Sequence, residues 1–224
     1  NEAMAKLLAD AIEQHKKIIY SILHFLDNDR FPLPDADLED ALLLQKKPFL
    51  FPIRWLDQDL SNRLTSGMQI FAVPADYLKI QNWQPGKVIF VENETNLYML
   101  PLVEDCLAIC SYGKALHLLK EITFFKYTRF YYWGDMDQQG FSMLNDIRGH
   151  YSHVQSLFMD VDTLEFHKAD LNMKPIAYRK KDLSLLHAHE IAAYEQLLAN
   201  NLWLEQEKLQ HEYVLKQLRQ KLNQ

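Results

Sequence analysis

Strands that alternate with helices from residue 87 onward, and strand runs that are apolar throughout, predict an α/β protein. Its core is expected to be a mostly parallel four-stranded sheet flanked by helices, with additional helices toward the N- and C-terminal ends. Strands buried on both faces read as unbroken apolar runs, and Lys87–Val91, Cys106–Tyr112, Phe130–Trp133 and Val154–Met159 read this way.

Residues 4–27 come first and form an amphipathic helix, with Leu8, Ile12, Ile19, Leu23 and Leu26 at helical spacing and no glycine or proline between. Asp27-Asn28-Asp29, Pro32 and Pro34 stop it. Residues 29–86 carry six of the eight prolines, yet are too apolar for disorder. There Phe49–Leu56 is expected to be extended and buried, Asp59–Leu64 a short helix, Ile70–Val73 a strand and Ala75–Ile80 a helical turn. The first strand of the regular region follows the turn Pro85-Gly86. Asn93–Asp105 should be helical, kinked or shortened by Pro101. Gly113 allows a turn into a helix over Lys114–Ile122, and Phe141–His150 is the helix after the third strand. His167–Lys181 reads as loop. Leu183–Leu198 and Leu204–Leu222 read as helices forming an exposed hairpin or a partner-binding tail. The organisation expected is an N-terminal helix over 1–30, a lead-in packing on the core over 31–86, the α/β domain over 87–182 and C-terminal helices over 183–224.

With 224 residues of which 48% are hydrophobic, the chain can bury a sizeable core. No apolar run approaches the length of a membrane span and no signal peptide is visible, so a cytoplasmic protein with no membrane partner is expected. The opening Asn1-Glu2-Ala3-Met4 reads as internal to a longer chain, with basic surface expected on the remainder. A formal net charge of -6 argues against a broad nucleic-acid-binding surface on this chain, but not against a metal-dependent site, which needs acids. Cys106 and Cys110, with three residues between them in a strand, lack the further ligands of a zinc site and read as small apolar side chains.

Three strand ends carry acids: Glu92, Asp135 with Asp137, and Asp160. A parallel sheet gathers such ends at one edge, where open α/β proteins bind ligands. Mg²⁺ takes one or two carboxylates together with waters and substrate phosphate. Two aspartates at i and i+2 in an extended loop can face one ion, and Gly134 and Gly140 let the backbone approach a phosphate. Glu92 could ligate a metal or act as general base or acid. Singly, an Asp-x-Asp is usually a solvated turn or helix cap and a glutamate a helix-start acid; their shared placement points to chemistry.

A strand ending in Glu followed by one ending in Asp-x-Asp is similar to the Toprim signature. The run Tyr132-Trp133-Gly134-Asp135-Met136-Asp137-Gln138-Gln139-Gly140-Phe141 resembles the JetD family, nuclease subunits of the Wadjet plasmid-defence system related to type IIB topoisomerase A subunits. Val91-Glu92-Asn93, Leu144 and Arg148, Ser156–Asp160 with Thr163, Leu204-Glu205-Gln206-Glu207 and Arg54–Asp57 extend the resemblance over about residues 50–210. It implies a homodimeric endonuclease, dependent on Mg²⁺ or Mn²⁺, that cuts double-stranded DNA in the service of an SMC-like complex. Glu92 would be the general base or acid and a metal ligand. Asp135 and Asp137 would hold the metal, with Asp160, Glu205 and Glu207 either as supporting or second-metal ligands or as N-cap or surface helix acids. No winged helix and no tyrosine in a strand-transfer context are visible, which favours hydrolysis by water. The family's longer N-terminal part, which docks on partners, is mostly missing from the match.

Lys114, at a strand-to-helix turn, and Arg148 are candidate DNA contacts, although a solvated surface lysine is the commoner role of such a residue. His150 and His153 read as surface residues, and His187 and His189 are wrongly spaced for a zinc-protease pair. A non-catalytic interaction module of the same complex, or another Toprim enzyme such as a primase or an RNA-processing nuclease, are the competing readings.

Overall fold

The computed structural model describes residues 2–31, 38, 42, 48–113, 116–174 and 181–222. It divides into two units, Asn1–Pro48 and Phe49–Gln224. In the first, helix α1 (Glu2–Leu26) bends at His15, whose φ of -119° leaves the helical range. Tyr20, Phe31 and Leu38 make a small cluster with Ile19 and Leu23 on one side of it. Met4, Leu7, Ile18, Ile22 and Phe25 are exposed.

The second unit is built on one six-stranded sheet in the order β2-β1-β4-β3-β5-β6. Its strands are β1 (Leu50–Trp55), β2 (Ile70–Pro74), β3 (Lys87–Val91), β4 (Cys106–Cys110), β5 (Arg129–Trp133) and β6 (Gln155–Ser156). The four predicted parallel strands are its heart: β3 pairs in parallel with both β4 and β5, and β5 with β6. The lead-in contributes two further strands, β1 and β2, an antiparallel pair joined to the edge of β4. Every residue of β3 and β4 is buried, as their unbroken apolar runs require. Cys106 and Cys110 are free buried thiols, both pushed up by burial, in keeping with an apolar role.

Between β1 and β2 lies α2 (Gln58–Thr65), capped by Asp57, whose Oδ1 accepts from the Asp59 and Leu60 amides at 2.8 and 3.0 Å. After β2 comes the short α3 (Ala75–Lys79). Helix α4 (Glu94–Met99) is half the expected length. Pro101 offers no N–H and pushes Leu100 into extended backbone (ψ 138°). Arg54 Nη1 then donates to the carbonyls of Leu97, Tyr98 and Leu100, which the helix leaves unpaired. Of the helix expected over 114–122, residues 114 and 115 lie outside the described residues, Leu116–Leu119 form a 3₁₀ turn, and a second such turn spans Thr123–Tyr127. The long helix after β5 is α5 (Gln138–His150). The fourth predicted strand keeps its burial at Val154, Leu157, Phe158 and Met159 but pairs over two residues only.

The C-terminal part corrects the expected exposed hairpin or tail. After α6 (Val161–Phe166), β7 (Asn172–Met173) pairs with β8 (Leu202–Trp203), and α7 (Ala188–Asn200) and α8 (His211–Leu222) follow the sequence around them. Ala193, Tyr194, Leu197, Leu204, Leu209, Val214, Leu218 and Leu222 all join the main core. Their leucines are therefore interior packing, not a surface held for a partner. No helix among the described residues is long and apolar enough to cross a membrane.

Candidate functional site

Strand order reverses between β3 and β5: the chain leaves β3 for β4 on one side and leaves β5 for β6 on the other. Carboxyl ends at such a reversal frame a crevice. Val91 and Trp133 are register partners at these ends, so Glu92 and Gly134 follow side by side. The Asp135 amide donates to Glu92 Oε2 at 3.2 Å. Gly113 closes the far side: a Cβ there would lie 2.8 Å from Glu92 Oε1 and 2.9 Å from Met143 Sδ. Beneath, the fully buried Tyr132 hydroxyl lies beside Glu92 and makes no hydrogen bond of normal geometry.

This setting is costly for negative charge. Burial, then the nearby Asp135 charge, pushes the Glu92 carboxyl up to about 7. Burial also raises Asp135 to about 6, opposed by the Gln206 amide and reinforced by Glu207, Asp137 and Glu205. Two neighbouring acids displaced toward neutrality are the pattern found where carboxylates await a proton or a cation.

Asp137 is turned differently. It caps α5, its Oδ1 accepting from the Gln139 and Gly140 amides at 2.8 and 2.9 Å, while its Oδ2 pairs with Lys174 Nζ at 3.2 Å. Gly140 is required by the loop itself, because a Cβ there would stand 2.0 Å from the Asp135 carbonyl oxygen. Gly134 packs over Tyr132, with a Cβ position 2.4 Å from its hydroxyl. Both glycines thus serve close approach within the protein.

Glu205 and Glu207 come to the site through a tertiary route. Met136 and Leu204 exchange backbone hydrogen bonds at 2.9 and 3.1 Å, which lays residues 204–207 against the Asp-x-Asp loop. The residue between the two acids makes the closest contacts. Gln206, 1% exposed, donates its amide to Asp135 Oδ1 at 2.8 Å and its side-chain nitrogen to the Trp133 carbonyl. Its Oε1 accepts from the Asn93 amide and from Asn96 Nδ2 at 3.1 and 3.0 Å. One glutamine side chain therefore ties the exits of β3 and β5 together. The late Glu-Gln-Glu run marked the place, but only its acids are conspicuous in sequence. Lys174 carried no signal at all, lying in what reads as loop.

The remaining candidates lie elsewhere. Asp160 caps α6, accepting from the Thr163 amide and hydroxyl at 2.9 and 2.7 Å, and pairs with Lys221 at 3.4 Å; these partners hold its carboxyl below the usual range. Arg148, expected to touch DNA, is 4% exposed and forms a bidentate pair with the buried Glu190 at 2.6 and 2.8 Å. Its other donors go to the Val154 and Leu185 carbonyls, so it fastens α5 to the segment entering α7. Lys114 lies outside the described residues.

Among the described residues, no three His, Cys, Asp or Glu side chains stand together as a ready-made metal cage. The Glu92–Asp135 pair nonetheless fits a hard divalent cation, being two oxygen donors whose displaced ionisation such a charge would relieve.

A parallel sheet with an acid pair at its switch point defines an α/β protein with a carboxylate-lined site. The model of the family described as Wadjet protein JetD, C-terminal, matches residues 43–218, and the chain belongs to that family. Membership ties it to a Wadjet-related role. No curated protein matches the chain.

Proposed function

We propose that this chain is a Toprim-type DNA endonuclease, dependent on a divalent metal, that cuts plasmid DNA within an SMC-like Wadjet complex and acts as a homodimer. The observation that carries this reading is the meeting of Glu92 and Asp135 at the switch point, where the Asp135 backbone amide donates to Glu92 Oε2 at 3.2 Å and burial raises both carboxyls. Glu92 and Asp135, with Asp137 beside them, would hold Mg²⁺ or Mn²⁺, and Glu205 and Glu207 would add negative charge around it. When bound, such an ion offsets the charge developing on a phosphate and lowers the pKa of water. Glu92 would take the proton of the attacking water as its oxygen bonds to phosphorus. The ester bond to the leaving oxygen breaks, and that oxygen takes up a proton from solvent water. Gln206 holds the Asp135 carboxylate in place through its amide.

The test is nicking of supercoiled plasmid at low salt with Mg²⁺ or Mn²⁺, comparing this chain with Asp135→Ala. Metal-dependent nicking in the first and a loss of at least about a hundredfold in the second is the expected result. A protein that neither nicks nor binds metal by calorimetry is instead a non-catalytic module of the complex. Cleavage of RNA in preference to DNA would make it another Toprim enzyme.

A further inference from the structure

Asp137 has one carboxylate oxygen committed to the first turn of α5, so Oδ2 is the one it can turn toward a cation, and Lys174 already holds it. Lys174 is not a loosely placed surface lysine. Its backbone amide donates to the Asn201 carbonyl at 2.9 Å, and its own carbonyl accepts from Asn201 Nδ2 at 2.6 Å. Its ammonium lies 4.5 Å from the centre of the Trp203 ring, a second favourable contact for a cation. The β7–β8 pair that fixes this backbone continues into Leu204, which is bonded to the Asp-x-Asp loop at Met136. A positive charge has therefore been built into the edge of the acid site from a different part of the chain.

We propose that Lys174 is a displaceable counter-ion of the site: it holds Asp137 Oδ2 until a divalent cation draws on that oxygen, and its ammonium then meets a phosphate of the substrate. This rests on the metal-dependent reading above. The physical basis is repulsion. A divalent cation at Asp137 Oδ2 and an ammonium 3.2 Å from the same oxygen carry like charge. The side chain is long and partly exposed, so it can swing outward on a fixed backbone, and the ligand best suited to a lysine at the rim of a carboxylate site is a phosphate. The coupling is reciprocal: whatever draws Lys174 away tightens the metal, and metal presents Lys174 to phosphate.

Calorimetric titration with Mn²⁺, without DNA, tests the first half. Lys174→Met should bind the ion at least about fivefold more tightly than the unaltered chain, and Lys174→Arg, which keeps the charge, should not. The second half is read from binding of a short duplex, followed by fluorescence anisotropy with Ca²⁺ in place of Mg²⁺. There Lys174→Met should bind more weakly and lower the salt slope by about one. Equal or weaker Mn²⁺ affinity in Lys174→Met, or unchanged duplex binding, overturns the proposal. If Mn²⁺ binding is lost in Asp135→Asn but unchanged in Lys174→Met, the metal reading stands and this proposal alone fails. Absence of binding in both the unaltered chain and Lys174→Met overturns both.

Discussion

At the scale of single residues, the site is held together by groups that are individually uncomfortable. Glu92 and Asp135 ionise reluctantly, and the Tyr132 hydroxyl beneath them is buried without a well-formed hydrogen bond. For Glu92 the consequence for stability has a definite sign. Its carboxyl ionises near 4.5 when unfolded and about 7 when folded, so the folded state holds the proton more tightly. The metal-free protein therefore loses stability as pH rises between those values, by up to about 3 kcal/mol before the coupling to Asp135 is counted. Glu92→Gln removes that loss. In urea unfolding with chelator present, the variant should be the more stable protein at pH 8 and nearly equal to the unaltered chain at pH 4.5. Parallel stability curves across this range would refute the assignment. The two acids of the pair were legible in the sequence because each stands at the exit of an apolar strand, Glu92 directly after Val91 and Asp135 separated from Trp133 by Gly134 alone. Gln206 and Lys174 were not, since nothing local distinguishes a glutamine or a loop lysine that meets its partner across 71 or 37 residues of chain.

At the scale of elements, legibility follows the source of each element's stability. β3 appears in the structure with the predicted ends, because five buried residues in a row admit little else. The helix expected over 93–105 ends at Met99, shortened as Pro101 implies, whereas the described part of that over 114–122 was read from local pattern alone and is a 3₁₀ turn. The C-terminal helices were misread in their setting: a leucine stripe looks the same whether it faces a partner or the parent domain. Helix α5 is anchored by the Arg148–Glu190 pair, and a buried pair makes a sharp prediction. Arg148→Met alone should cost about 3–5 kcal/mol, because it strands the Glu190 charge in a site with 0% exposure. Adding Glu190→Leu should restore part of that loss. A double-mutant cycle by urea denaturation measures this, and strictly additive losses would show that the two side chains do not act as a pair.

At the scale of the whole molecule, the two units have separate apolar clusters, a small one around Tyr20 and a large one that spans the sheet and the C-terminal helices. A domain with its own core folds by itself. The chain beginning at Phe49 should accordingly give one cooperative thermal transition and retain whatever metal binding the full chain has. A molten transition without cooperativity would mean that the first 48 residues are integral to the core. The family match, over residues 43–218, covers nearly the same stretch as this larger unit.

The pairing of Leu204 with Met136 also sets an order of events during synthesis. A ribosome that has delivered Glu92 and Asp135 has still to deliver the segment whose amide fixes Asp135 and whose glutamine binds the two strand exits together. The nascent chain thus carries both acids without the arrangement that joins them while the 71 residues from Asp135 to Gln206 are added. A translation product cut short before Leu204 stays in that state, so the acid site exists as an assembled unit only in chains carried past Gln206.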